Sequence, residues 1–265
     1  MKIAAIQMIS GPDVMPNLAT AGELIAEAAE QGARLLALPE YFPMIGASDD
    51  SRLLAREKPG AGPIQDFLRS CAVKHGIWLI GGSLPLFADA PDKMRNSCLA
   101  FNPQGEVVAH YDKIHLFGFR KGTEHYDEAA TIEAGSNPVV FDTPFGRVGL
   151  AICYDLRFPE LFRRMGPVDL IVIPSAFTET TGRAHWELLL RARAVENQCY
   201  LLAPAQGGRH PTGRMTFGNS MIIDPWGDVI ARVDKGNSVV MAEFDASRIT
   251  EVRTMLPALS HRTLN

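Results

Sequence analysis

The stretch Arg147-Val148-Gly149-Leu150-Ala151-Ile152-Cys153-Tyr154-Asp155-Leu156-Arg157-Phe158-Pro159-Glu160-Leu161 joins two kinds of structure through one residue. Up to Ile152 it is an apolar run too short for a helix, which reads as a buried β-strand. From Pro159 it reads as a helix, because proline is preformed for the first helical turn and its missing N–H is not needed there. Cys153 stands at the elbow between them. Such an elbow presents a side chain at the carboxyl edge of a sheet, and the partial positive charge of a helix start favours thiolate over thiol. An isolated buried cysteine is ordinarily packing material, so any chemistry has to come from its neighbours.

The same grammar extends outward in both directions. Apolar runs bounded by Pro or Gly recur at residues 3–8, 35–38, 77–80, 148–152, 170–173 and 200–203. Helical periodicity occupies 17–31, 63–75 and 183–198, with Gly32 and Gly76 as stop signals for the first two. Strands alternating with helices predict the α/β class. The polar stretch 118–138 has the weakest pattern and is expected to be a functional loop. No linker or composition break divides residues 1–265, so one domain is expected.

Composition closes off other classes. The chain has 265 residues, 46% apolar and 21% charged, with a formal charge of −4, which is far from the disordered corner. Without a basic surplus there is no footprint for nucleic acid. No apolar run approaches the ~20 residues that cross a bilayer. Gln7 interrupts the only signal-like stretch, so the start reads as a strand rather than a leader. Cysteines 71, 98, 153 and 199 have neither zinc nor disulfide-scaffold spacing. The expectation is a cytoplasmic protein with reduced thiols and no metal.

An internal echo bears on architecture. Residues 102–113 (NPQGEVVAHYDK) can be laid on 224–235 (DPWGDVIARVDK), and Asn96-Ser97 and Asn219-Ser220 precede them at similar distances. Each copy reads as strand, turn and return strand, which suggests two stacked sheets related by an approximate two-fold axis. The alternative is two hairpins that reached the same Pro-x-Gly turn independently.

Two further strand ends carry charge. Leu38-Pro39-Glu40 ends an apolar strand on a carboxylate, and Tyr111-Asp112-Lys113-Ile114-His115 ends another on an ammonium. With Cys153 they supply a base, a cation and a nucleophile. These three segments resemble, in order, the signature segments of the nitrilase superfamily of carbon–nitrogen hydrolases, and the likeness runs over nearly the whole chain. The resemblance implies a four-layer α-β-β-α sandwich, a catalytic Glu40, Lys113 and Cys153, and an assisting Glu128. It also implies a homodimer or higher homo-oligomer and needs no cofactor or metal.

The implied reaction converts a linear carboxamide to an acid and ammonia through a thioester on Cys153. Glu40 moves the protons, and Lys113 with the Tyr154 N–H faces the oxyanion. Tyr154, Ser175, Phe177, Thr181 and Trp186 are candidate substrate contacts, and Arg209 is a candidate carboxylate anchor. Residues 174–187, Arg191-Ala192-Arg193-Ala194 and Gly207-Gly208-Arg209-His210 resemble the branch that hydrolyses deaminated glutathione. The rival is the omega-amidase branch, which acts on 2-oxoglutaramate or 2-oxosuccinamate. A catalytically silent scaffold of the same fold is the reading from outside enzymology. A Cys-His protease is disfavoured because no such signature surrounds Cys153, and His115 and His185 are expected to orient local structure.

Overall fold

The computed structural model describes residues 1–46, 49–122 and 124–263. Its first part runs β1 (Lys2–Gln7), α1 (Val14–Glu30), β2 (Ala33–Ala37), α2 (Asp49–Leu54), α3 (Pro63–His75), β3 (Trp78–Ile80), β4 (Leu84–Phe87), β5 (Met94–Phe101), β6 (Val107–Asp112), β7 (Gly118–Lys121) and β8 (Glu124–Asp127). It continues with β9 (Val139–Thr143), β10 (Gly146–Leu150), α4 (Pro159–Arg164), β11 (Leu170–Val172), α5 (Glu179–Asn197) and β12 (Tyr200–Ala203). Then follow β13 (Gly207–Arg209), β14 (Met215–Phe217), β15 (Met221–Ile223), β16 (Val229–Arg232), β17 (Ser238–Glu243) and α6 (Ala246–Met255).

Period-two alternation distributes the apolar side chains over four layers. Along β1 and β2, Ala4, Ile6 and Leu36 pack outward against Leu18, Leu24 and Ile25 of α1 and Leu68 of α3. Ile3, Ala5, Leu35 and Ala37 face the other way, toward a core that includes Val148, Leu150, Ile171 and Leu202 of the second sheet. That sheet is covered on its far side by Leu161 and Phe162 of α4 and Trp186 and Leu190 of α5. The chain is therefore the α-β-β-α sandwich, and burial of both faces explains why its parallel strands read as continuous apolar runs.

The two sheets share one plan. In the first, β17 pairs antiparallel with β1, then β1, β2 and β3 run parallel, and β5 and β6 close it as an antiparallel hairpin, with β4 beside β3 on the same edge of β5. In the second, β9, β10, β11, β12, β15 and β16 repeat this order and these directions. The echoed turns match in detail. The Asn102 and Asp224 side chains each accept two backbone N–H groups, and Gly105 and Gly227 adopt φ of +80° and +95°. Both hairpins carry a bulge. Because the correspondence reaches strands far from the turns, independent choice of turn chemistry does not account for it.

The expected strands and helices are present with shifted ends. α5 starts before residue 183 because the Thr178 hydroxyl caps it, accepting the Thr181 N–H at 3.2 Å. The expected loop at 118–138 instead contains the β7–β8 hairpin and a single 3-10 turn, Glu128–Ala130. Neither strand of that hairpin has a buried residue, so it lacks the apolar alternation that would reveal it. Thr123, within this stretch, lies outside the described residues. Among those described, no helix is long and apolar enough to cross a membrane.

Candidate active site

Three strand ends and one short turn converge on a buried ammonium. Lys113, immediately after β6, donates to Glu40 Oε1 at 2.8 Å and to Glu128 Oε2 and Oε1 at 2.8 and 3.1 Å. Glu40 also accepts the Asn96 amide N–H at 3.0 Å. Glu128 accepts the Tyr41 hydroxyl at 2.7 Å and the Phe117 N–H at 2.8 Å. Burial alone would discharge Lys113, but the facing carboxylates of Glu128 and Glu40 outweigh it and hold the pKa well above the usual lysine value. For Glu128, burial pushes the pKa up while Lys113 and the other donors hold it below the usual carboxylate value.

Gly82 permits one of these approaches. Its φ is +58°, and a Cβ there would lie 2.2 Å from the Pro39 carbonyl oxygen, so only glycine lets the chain after β3 pass beneath Glu40.

Cys153 sits at the elbow with φ +49°, a left-handed conformation that costs a non-glycine residue roughly 1–2 kcal/mol. Neighbouring bonds hold it there. Its N–H donates to the Pro174 carbonyl at 2.9 Å. The buried Asp155 carboxylate accepts the Ile152 N–H at 2.9 Å and the Tyr111 hydroxyl at 2.7 Å on one oxygen. Its other oxygen accepts the His115 N–H at 3.0 Å and pairs with His115 Nδ1 at 2.8 Å. Asp155 thus ties the cysteine elbow to the strand end whose residues 111 and 115 flank Lys113. His115 also stacks on Phe158, with centroids 3.7 Å apart.

Burial and the negative charge of Glu40 raise the Cys153 pKa well above the usual thiol value, and a hydrogen bond to Glu40 adds to this. Lys113 and the Ala176 N–H pull the other way without prevailing. The helix-start charge expected from sequence does not rescue the thiolate, because only the 3-10 turn Cys153–Arg157 follows the elbow. The resting sulfur is therefore a thiol with a carboxylate beside it. That is the arrangement for proton transfer to a base rather than for a preformed thiolate.

A cavity opens over the sulfur. Of the residues expected from sequence, Glu40, Glu128, Cys153, Tyr154, Phe177 and Thr181 line it, and Lys113 lies beneath. Three others do not. Ser175 is buried and its hydroxyl donates to the Ile173 carbonyl at 3.1 Å. Trp186 is buried against Phe177 and its indole N–H donates to Asn219 O at 2.8 Å. Arg209 is exposed on β13, opposite exposed Met215, and points away from the cavity. The arginines that line the cavity are Arg157 and Arg214, together with Phe117, Ala176 and Thr178. His185 accepts from Arg157 at 3.2 Å, an orienting contact.

Replacing Glu40 by Gln removes the charge that raises the thiol. The pH profile of Cys153 alkylation by iodoacetamide, followed by peptide mass spectrometry, is then expected to shift to lower pH; an unchanged or upward shift would contradict the electrostatics described here.

Comparison with known proteins agrees with this geometry. Residues 2–254 match the carbon-nitrogen hydrolase family. A deaminated glutathione amidase of Synechocystis sp. (strain PCC 6803 / GT-S) is 41% identical over 266 residues, covering 98% of this chain and 97% of that protein. Another, from Yersinia enterocolitica, is 39% identical over 264 residues, covering 98% and 92%. The crystal structure of Saccharomyces cerevisiae Nit3, a member of branch 10 of the nitrilase superfamily, superposes with a TM-score of 0.88 at 32% identity, covering 100% of this chain and 97% of that one. The chain belongs to the carbon–nitrogen hydrolase family, whose nitrilase-type sandwich it shares.

Proposed function

We propose that this carbon–nitrogen hydrolase is a cysteine-dependent amidase whose preferred substrate is deaminated glutathione. One observation carries the mechanism: the Cys153 thiol shares the wall of an open cavity with the Glu40 carboxylate, which a buried ammonium holds in place. Glu40 takes the thiol proton as sulfur bonds to the amide carbon, and the carbonyl electron pair moves to oxygen. The Tyr154 N–H has no protein partner among the described residues and is free to donate to that oxygen. Lys113 supplies fixed positive charge nearby; one such donor is commonly worth ~3–4 kcal/mol. As the C–N bond breaks, Glu40 returns the proton to the departing amine, or to ammonia from a primary amide. Water, deprotonated by Glu40, then attacks the thioester, and sulfur leaves to regain its proton. The low pKa of Glu128 suits it to keep Lys113 charged and to orient that water rather than to carry the proton.

The relatives near 40% identity support the substrate. So does Arg157, since deaminated glutathione keeps its carboxylates and has lost its amino group. The omega-amidase substrates 2-oxoglutaramate and 2-oxosuccinamate are the second reading. The four free cysteines fit a reducing, cytoplasmic setting. A second copy of the chain is the proposed partner, supported by exposed Leu188, Val195, Trp226 and Ile230. A purely monomeric sedimentation profile would remove that part.

Product release is expected to give the highest kcat/KM on deaminated glutathione, a lower value on 2-oxoglutaramate and none on a nitrile. Cys153→Ala should abolish it. Higher activity on 2-oxoglutaramate would favour the second reading, and full activity in Cys153→Ala would refute the mechanism.

A further inference from the structure

We propose that Arg214 anchors a substrate carboxylate remote from the scissile amide, and that the β13–β14 hairpin carrying it selects for anionic amides. This rests on the amidase reading and deepens it.

Arg209 faces Met215 and Gly208 faces Thr216 across the pair. Arg209 and Met215 are exposed while Thr216 is buried. Arg214, two positions before Thr216, shares its inward side and reaches the cavity that Arg209 cannot.

The hairpin is pinned where a precise anchor needs it. Buried His210 places Nδ1 2.9 Å from the Ser10 carbonyl and Nε2 2.8 Å from the Thr216 hydroxyl. Its N–H donates to the Arg214 carbonyl at 2.9 Å. On the other strand, Thr216 bridges to Thr178 and the Phe217 N–H donates to the Phe177 carbonyl at 2.9 Å, so β14 lies along the cavity wall. The Arg214 guanidinium rests 5.5 Å over the Tyr126 ring of β8, closing the space between the two hairpins.

What Arg214 lacks indicates what it would take. Its Nε is buried without a hydrogen-bond partner, and among the described residues neither Arg214 nor Arg157 is paired with a carboxylate. The trio beneath has two carboxylates to one ammonium, so with these two guanidiniums the site holds one more positive charge than negative. A half-buried guanidinium with no carboxylate partner and an unsatisfied Nε matches a carboxylate, which accepts two parallel N–H bonds.

The test compares glutaramate with valeramide, an amide of equal chain length that lacks the carboxylate. Arg214→Gln should lower kcat/KM for glutaramate by about ten- to a hundredfold, the range for a lost charge-assisted hydrogen bond, and change valeramide turnover by less than about threefold. Arg209→Gln, on the outward side of the same hairpin, should leave both unchanged. An equal loss on both amides, or no loss on glutaramate, would overturn the proposal. A second readout needs no hydrolysis: glutarate should protect Cys153 from iodoacetamide better than valerate does, and Arg214→Gln should erase the difference. Unchanged protection would also overturn it. If neither amide is turned over, hydrolysis of deaminated glutathione still decides the amidase reading, and the protection experiment still decides the role of Arg214.

Discussion

A lysine ammonium sealed between two carboxylates is the constraint around which the site is built. Stripping Lys113 of water is tolerable only because Glu40 and Glu128 both accept from it; Glu40 is fully buried, while Glu128 keeps an edge toward the cavity. Removing one member of such a cluster typically costs about 3–5 kcal/mol, because the remaining charges are left uncompensated. Linkage sets its range. The depressed Glu128 contributes stability that is fully present above the ordinary carboxylate pKa of ~4.3 and is lost as pH falls through its lower folded value. The raised Lys113 contributes below the ordinary lysine value of ~10.4, and its share is lost as pH rises through its higher folded value. Between those limits the cluster is intact and fixes the oxygen atom that would receive the Cys153 proton.

The repeated sheet plan gives each residue proposed for this chemistry a counterpart in the other half. In the matching registers, Glu40 corresponds to Ser175 and Cys153 to Met8, while Lys113 corresponds to Lys235. The second set has no reactive pair. Ser175 spends its hydroxyl on the local backbone, Met8 is core, and Lys235 is partly exposed against Glu179 at 3.0 Å. Around the second set, polar side chains serve the joint between sheets: Gln7 accepts from Ser220, and Gln206 donates to Ser10 and to the Glu40 carbonyl. One set of strand ends carries the proposed reactive groups, and the other holds the two sheets in register.

Much of this was legible in the residue order. Apolar runs buried on both faces announce parallel strands, and Gly32 and Gly76 end their helices with φ of +92° and +61°. Polar or reactive residues just past strand ends marked Glu40, Lys113 and Cys153, because strand ends pointing the same way collect at one edge of a sheet. The cavity wall was less legible. Arg157 sits inside the motif that points to Cys153, yet nothing local says that it turns toward the cavity. Arg209 stood out because its segment resembles the deaminated glutathione branch and a guanidinium can hold a carboxylate, whereas alternation across the unrecognised β13–β14 hairpin turns it outward and Arg214 inward. Asp155 shows a different limit: its four hydrogen bonds come from residues 111, 115 and 152, a convergence that exists only after folding.

The most direct test of the account is to look for the covalent intermediate on sulfur. Wild-type protein mixed with deaminated glutathione, quenched in acid within the first turnovers and digested, should yield the peptide containing Cys153 with the mass of the acyl group added as a hydroxylamine-labile thioester. Steady product formation with Cys153 unmodified at every quench time, and no adduct in variants slowed in deacylation, would contradict the central claim.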